Sequence, residues 1–492
     1  MLRPGQVIAL CALALLTIGV VMVTSALMDV ARPVTLQGIV LSRWSAYMVL
    51  ALTAMGLTAL VPWWRWLPAR WITPAGGART SGTMIGGITT GRTIASGPVA
   101  SVPSAPAEAQ AEPTFTVLGR SVPLAALGGW LNFQLWLVAL ALVGVMALVY
   151  VPGIGRQVNG AHRWINLVLP GLGDLSVQPS EIAKWALIPV MAWYAVTMRE
   201  RLRKFFSGLA PALGAVAIIA GFIAIEDLGT AVLLGAVASI ILIAGGARIW
   251  QFMLMLPVAG LAFVAAVLAN PYRLTRIETF LNPYADPERS GYHMIQSMLA
   301  VHNGEVFGRG LGHGLQKFGY LPEDHSDFLF AIICEEMGVP GALVVVCLYA
   351  GIIWAGWLIV RRQQVLLFKL IATGVVATLG LQALINLAVV TGLGPTKGIA
   401  LPLLSSGGTG WILTSACLGV LIAIERAARA GYGVATTADH LDALEGQGTQ
   451  SQGSEGEGRA VKSARTTQLA GGMSELNELR GHGAAQTARA LA

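Results

Sequence analysis

Apolar runs recur along the chain at 7–27, 42–62, 131–151, 182–198, 209–225, 228–244, 251–269, 328–354, 365–391 and 409–424. Short polar or basic joins separate most of them. A helix needs roughly 20 apolar residues to cross a bilayer. The pattern therefore predicts an all-α polytopic membrane protein with about ten transmembrane helices. Three stretches interrupt it. Residues 72–128, dominated by Gly, Ser, Thr, Ala and Pro from 73 to 116, read as a flexible insert. Residues 270–326 form a long polar loop just before the eighth span, and loops of that length are usually functional or partly folded. Residues 431–492 read as a disordered tail with at most a weak helix near 473–480. The expected organisation is a membrane domain over 1–430 that carries the insert and the loop, followed by the tail.

Charge gives the predicted helices a direction. Lys and Arg gather at alternate joins: Arg65, Arg70, Arg79 and Arg92; Arg199, Arg201, Arg203 and Lys204; Arg248; Arg361, Arg362 and Lys369; then Arg426 and Arg429. The intervening joins are mixed or acidic, as at Glu226 and Asp227. The positive-inside rule puts both termini in the cytoplasm and the 270–326 loop outside. The composition is 55% hydrophobic and 12% charged, against about 25% charged for a soluble domain, which excludes a soluble globular chain. The net charge of +7 falls largely near helix ends, so it reports topology and not nucleic-acid binding. Cys11, Cys334, Cys347 and Cys417 lie in apolar runs without CxxC spacing and read as buried thiols.

Candidate chemistry concentrates where polar runs meet apolar ones. Glu323, Asp324, His325 and Asp327 immediately precede the eighth span. Asp327 is expected at the membrane–water boundary, where desolvation raises a carboxylate from about 3.9 towards a useful base. Ser326 or Asp324 could cap the helix that follows, and a solvated loop with a cap accounts for the same residues. Gln178, Pro179 and Ser180 open the fourth span, and Glu181 and Lys184 share a helix face there and can neutralise each other. On one continuous eighth helix, Glu335 would lie about 12 Å deeper than Asp327 and Glu336 would point nearly opposite to it; buried structural hydrogen bonds are the common fate of such glutamates. The outer loop holds Arg273, Arg276, Tyr292, His293, Gln296, Gln316 and Lys317, with glycines at 304, 308, 310, 312 and 314. Glycine permits close approach of backbone to a ligand. Cations beside carboxylates suit a phosphate-bearing ligand that reacts at a hydroxyl. Composition alone points to a transporter or a membrane enzyme with an anionic substrate.

Several motifs occur in a specific order. Asn159-Gly-Ala-His-Arg163-Trp164-Ile165 and Gln178-Pro-Ser-Glu-Ile-Ala-Lys184 come first, then Asp227-Leu-Gly-Thr-Ala231 and Asn282-Pro-Tyr-Ala-Asp-Pro287. Gly291-Tyr-His, Gln296-Ser297, Leu321-Pro-Glu-Asp-His-Ser-Asp-Phe328 and Glu335-Glu-Met-Gly338 follow. Pro395-Thr-Lys-Gly-Ile-Ala-Leu-Pro402 and Ser405-Ser-Gly-Gly408 close the series. On ten spans this set resembles the SEDS family of bacterial cell-wall polymerases (FtsW, RodA and the sporulation homologue), and is more FtsW-like than RodA-like.

The resemblance implies a peptidoglycan glycosyltransferase in the bacterial cytoplasmic membrane, with an extracytoplasmic active site that polymerises lipid II into β-1,4 glycan strands, here for septal synthesis. It implies Asp327 as the general base. Glu181, Lys184, Arg163, Gln178, Ser180, Arg276, Gln296, His325, Lys397 and Ser405 are implied as cavity or substrate contacts. It implies a class B penicillin-binding transpeptidase and other division or elongation proteins as partners. No residue cluster calls for a protein-held metal or other cofactor, although a divalent cation could accompany the diphosphate. The sequence departs from the family pattern at Glu226, where proline usually stands, at Ser406-Gly-Gly-Thr-Gly410, and in the insert. A lipid II flippase and a non-catalytic division scaffold are the competing readings. The flippase would depend on Glu181 and Lys184 and have no use for Asp327.

Overall fold

The computed structural model describes residues 2–27, 36–67, 114–117, 120–153, 155–158, 161–169, 173–406 and 408–430. Residues 72–113 of the expected insert and the whole expected tail, including 473–480, lie outside these. Ten helices of 17 to 34 residues coincide with the ten apolar runs: α1 (Pro4–Ala26), α3 (Arg43–Leu60), α4 (Leu124–Ala147), α5 (Pro179–Thr197), α6 (Ala210–Glu226), α7 (Leu228–Ala244), α8 (Ile249–Leu268), α11 (Leu329–Arg362), α12 (Leu366–Val390) and α13 (Thr409–Arg429). Seven of them lie in segments both long and apolar enough to span a bilayer by themselves. The short α2 (Leu36–Val40) precedes α3. The protein is a mostly helical, multi-pass membrane protein.

Local chemistry sets many of the boundaries. Pro4 and Pro179 occupy first turns, where the missing N–H costs nothing. The Ser42 side chain accepts from Ser45 N–H and starts α3. Packing then joins elements distant in sequence: α3 lies along α13, α1 along α11, and α12 against α5, α7 and α11. One continuous buried core results, running from Ile8 to Ala427. α8 stands apart; only Gln251 and Val267 are buried along its length.

Two small sheets add to the helices. β1 (Thr114–Val117) and β2 (Arg120–Pro123) form an antiparallel hairpin that leads into α4, so ordered structure begins inside the stretch read as flexible insert. Between α4 and α5, β3 (Gly155–Val158), β4 (Ala161–Leu169) and β5 (Gly173–Val177) make a three-stranded antiparallel sheet. Backbone groups in a connection without helical periodicity still need partners, and strand pairing supplies them. The long loop before α11 contains α9 (Pro271–Leu281) and α10 (Tyr292–Asn303).

The main departure from expectation is inside α11. Gly338 sits at φ 62°, ψ −154°, and Pro340 follows, so 329–337 is a separate short helix. The carbonyls freed by the break are satisfied by the outer loop: Arg309 N–H donates to Glu335 O (3.0 Å) and Gly310 N–H to Glu336 O (2.9 Å). Val339 N–H donates in turn to Val306 O (3.1 Å). The carboxylates of the same two residues take further loop donors. Glu335 accepts Leu315 and Gln316 N–H at 3.0 and 3.2 Å. Glu336 accepts Gly312 N–H (3.0 Å), Lys317 Nζ (2.7 Å) and the Ser25 hydroxyl of α1. Gly304, Gly308 and Gly314 of the glycine series serve close approach to the protein's own half-helix: a Cβ on Gly308 would lie 2.3 Å from Glu336 O, whereas Gly310 and Gly312 supply positive φ.

The Lys317 and Glu336 side chains are both fully buried. Removing one partner leaves the other charge uncompensated, which costs on the order of 3–5 kcal/mol. Glu336→Gln or Lys317→Met alone should lower the Tm of the detergent-purified protein sharply. The double variant should recover part of that loss; equal, additive losses would mean the two charges are not coupled.

Candidate active site

Asp327 lies two residues ahead of α11, in a turn wound around one carbonyl. Glu323 O accepts both Ser326 N–H and Phe328 N–H, each at 3.2 Å. The Ser326 hydroxyl donates to Glu323 Oε2 (2.7 Å), and His325 Nδ1 meets Asp324 Oδ1 at 3.0 Å. Neither Ser326 nor Asp324 caps α11, because partners within the turn claim both; the N-cap position falls to Phe328 and has no side-chain cap. The Phe328 ring stacks on His293 of α10 at 6.3 Å between centroids.

α12 fixes the turn from below. Asn386, buried, donates both amide hydrogens: one to Asp327 O (2.8 Å), the other to Ile399 O (2.7 Å). One helical turn earlier, Gln382 donates to Ala400 O (2.9 Å) and accepts from Lys184 Nζ (2.8 Å). Lys184 also pairs with Glu181 at 2.7 Å. The predicted Glu181–Lys184 pair therefore exists, and a ladder of amides connects it to the backbone of Asp327. Gln178 and Ser180 stand at the start of the same helix, partly buried.

The loop between α12 and α13 closes over the carboxylate. A Cβ on Gly398 would lie 2.8 Å from Asp327 Oδ2, so a larger residue here would displace the carboxylate. Its neighbour Lys397 lies against Gly229, whose added Cβ would meet Lys397 Cε at 2.4 Å. Burial pushes the Lys397 pKa down; Asp227 pulls it back up, and Arg276 and Arg273 push it down further.

Helix ends at the α6–α7 corner organise the remaining charge. Asp227 caps α7, accepting Gly229 N–H (2.9 Å), Thr230 N–H (3.1 Å) and the Thr230 hydroxyl (2.7 Å). Arg163 of β4 donates to Glu226 O at the end of α6, and its Nε is buried with no partner among the described residues. Arg273 donates to the Ala224, Ile225 and Ala266 carbonyls. Arg276 donates to Thr396 O (2.9 Å) and to the Tyr272 hydroxyl.

These groups act on Asp327 together. Burial raises its pKa to about 7, helped by the Glu323 and Asp227 carboxylates and opposed by the Arg163 and Arg276 guanidiniums. The His325 pKa rises, chiefly through its hydrogen bond to Asp324. Burial lowers that of His293, as does Arg276, against a raising effect of Glu323. The arrangement offers a carboxylate that can gain or lose a proton near neutral pH, beside several fixed cations. That combination suits proton removal from a hydroxyl next to an anionic group.

Of the residues singled out in the sequence, Asp327, Arg163, Arg276 and Lys397 meet in this cluster. His325 flanks it, with its carbonyl accepting Ser406 N–H (3.0 Å). Gln296 is half-buried on α10, and no hydrogen bond joins it to the cluster. Ser405 is buried and holds the loop together. Its hydroxyl accepts Leu401 N–H (2.9 Å) and its carbonyl accepts Trp411 Nε1–H (2.7 Å). Asp227 and Glu323 were missing from the expected site. Asp227 carried a readable sign, an acid directly before an apolar run with Gly229 and Thr230 following it. Among the described residues no three His, Cys, Asp or Glu side chains gather as a metal site.

The profile of the cell cycle protein family FtsW/RodA/SpoVE matches residues 119–430. The chain belongs to this family. Stage V sporulation protein E of Bacillus subtilis is 38% identical over 288 residues, covering 58% of this chain and 77% of that protein. A probable peptidoglycan glycosyltransferase FtsW of Geobacter metallireducens is 40% identical over 280 residues, 56% of this chain and 73% of the relative. A solved chain from a peptidoglycan synthase complex, described in terms of structural coordination of polymerization and crosslinking, shares the fold. Its TM-score is 0.54 at 20% identity, with 86% of this chain and 97% of that chain covered. The matched range contains the helices and loops that build the Asp327 cluster.

A carboxylate that binds its proton more tightly folded than unfolded makes ionisation a cost of folding. With Asp327 at about 7 against an ordinary value of 3.8, that cost grows from about pH 4 and is complete above about pH 7. Asp327→Asn should therefore raise the Tm relative to wild type at pH 8. The advantage should shrink towards pH 4, and an advantage independent of pH would contradict the assignment.

Proposed function

We propose that this chain is a peptidoglycan glycosyltransferase that polymerises lipid II, an undecaprenyl-diphosphate-linked disaccharide-pentapeptide, on the outer face of the bacterial cytoplasmic membrane. The observation that carries the reading is the Asp327 carboxylate, poised near neutral pH beside Arg163 and Arg276, with Lys397 next to them at Asp227. Asp327 accepts the proton of the acceptor GlcNAc 4-hydroxyl. The freed oxygen attacks C1 of the MurNAc at the end of the growing chain. The bond from C1 to the diphosphate oxygen breaks, the configuration inverts to a β-1,4 link, and undecaprenyl diphosphate departs with the electron pair. Lys397, Arg163 and Arg276 supply the positive charge available to the leaving diphosphate. Proton removal of this kind contributes about 10²–10⁴-fold. Positioning of two lipid-borne sugars and stabilisation of the leaving diphosphate supply the rest.

The same reading puts both termini in the cytoplasm and the Asp327 cluster outside, following the distribution of Lys and Arg. The similarity to FtsW relatives supports a role in septal wall synthesis. It also supports a class B penicillin-binding transpeptidase as partner, together with other division proteins. Any divalent cation would arrive with the diphosphate and not in a protein-built site.

Purified protein with its transpeptidase partner, supplied with lipid II, should form glycan chains on a gel. Asp327→Asn and Asp327→Ala should lose about 10²–10⁴-fold in rate with expression and partner binding intact. Wild-type activity should fall as pH drops through about 7. Full polymerisation by both variants would remove Asp327 from the mechanism. No polymer from wild type, with lipid II crossing liposome membranes instead, would establish a flippase; neither activity would leave a scaffold.

A further inference from the structure

We propose that Glu323 is a positioning residue for the reaction, holding the turn that presents Asp327 and setting a second negative charge beside its carboxylate. The inference rests on the glycosyltransferase reading and adds to it a group that acts only through the base.

The geometry is specific. Glu323 sits at φ +57°, in the left-handed region that a glutamate seldom occupies. That conformation turns its carbonyl to accept the N–H groups of Ser326 and Phe328, the residues on either side of Asp327. Its carboxylate is held by the Ser326 hydroxyl at 2.7 Å. Backbone and side chain of one residue thus brace both flanks of the base. A strained residue persists when its surroundings over-determine it, and such residues cluster at active sites.

Charge gives the arrangement a purpose. Asp327 faces Glu323 from its own turn, Asp227 from the α6–α7 corner, Arg163 from β4 and Arg276 from α9. Lys397, from the α12–α13 loop, faces Asp227. Glu323 itself also acts on His293 of α10 and on His325. Burial does most to hold the Asp327 proton, and the two guanidiniums work against it. Carboxylates at Glu323 and Asp227 offset them. Asp227 is engaged in capping α7, whereas Glu323 is exposed and bonded within its own turn. Glu323 is the carboxylate that can be changed without disturbing a helix.

The test is the pH dependence of polymerisation by the full chain with its partner on lipid II. Glu323→Gln keeps the side-chain shape and an acceptor for Ser326. Glu323→Asn also loses the charge, and asparagine tolerates the left-handed region. Both should move the acid limb of the rate profile to lower pH, by up to about one unit, with a lower plateau rate because the base is weaker. Glu323→Asp retains the charge and tolerates the conformation, so its limb should stay with wild type. Because Glu323 is exposed, added salt should move the wild-type limb in the same direction as the Gln variant and leave the Gln variant's limb less affected.

An unmoved limb in both Gln and Asn variants, with polymer still made, would overturn the proposal and leave Glu323 a structural turn residue. So would a limb in the Asp variant that shifts as far as theirs. Should the neutral variants fail to make polymer at any pH while Asp is active, a direct titration of Asp327 by carboxyl-labelled NMR in the Gln variant decides: a lowered pKa supports the proposal and an unchanged one overturns it. Failure of wild type to polymerise at any pH would count against the glycosyltransferase reading itself, separately from Glu323.

Discussion

The interlock between the outer loop and the broken α11 is the constraint on which the rest of the site depends. At Gly338 the helix gives up its own continuation, and the freed carbonyls of Glu335 and Glu336 are met by Arg309 and Gly310. The side chains of the same residues bind the loop a second time, through Leu315, Gln316, Gly312 and Lys317. Unsatisfied backbone polar groups at membrane depth are tolerated only where protein covers them. The loop is that cover. The half-helix 329–337 is thereby fixed, and with it the turn that ends in Asp327.

A second device holds the turn through α12. Asn386 grips the Asp327 carbonyl and Ile399 with one amide, while Gln382 connects the Ala400 carbonyl to Lys184 and Glu181. The intramembrane ion pair thus shares a hydrogen-bonded frame with the base. Helix ends complete the charge pattern: Arg163 and Arg273 sit on α6 carbonyls, and Asp227 on α7 amides, as the dipoles of those helices favour.

The spans were legible because apolar length is a strong signal, and α1, α8 and α12 fall close to where the runs predict them. Asp327 and the Glu181–Lys184 pair were legible because charge next to apolar sequence is expensive and so stands out. The break in α11 was not, because one glycine in an apolar run leaves the hydropathy unchanged; the left-handed backbone at Gly338 is imposed by tertiary contacts. The sheet between α4 and α5 was hidden by its brevity. Glu323 read as one of several acids in a polar run, since nothing in the local pattern reveals a positive φ. The bond from Leu401 N–H to the Ser405 hydroxyl was hidden too, because a serine in a motif does not announce which backbone group it will meet.

The break at Gly338 also separates the site mechanically from the bilayer. Residues 339–362 alone extend about 36 Å, enough to cross a hydrocarbon core of roughly 30 Å with tilt to spare. The half-helix beneath Asp327 is a pedestal clasped by protein, and it is surplus to the spanning length. The position of the base relative to Arg163 and Arg276 is then set by the protein packed around the half-helix.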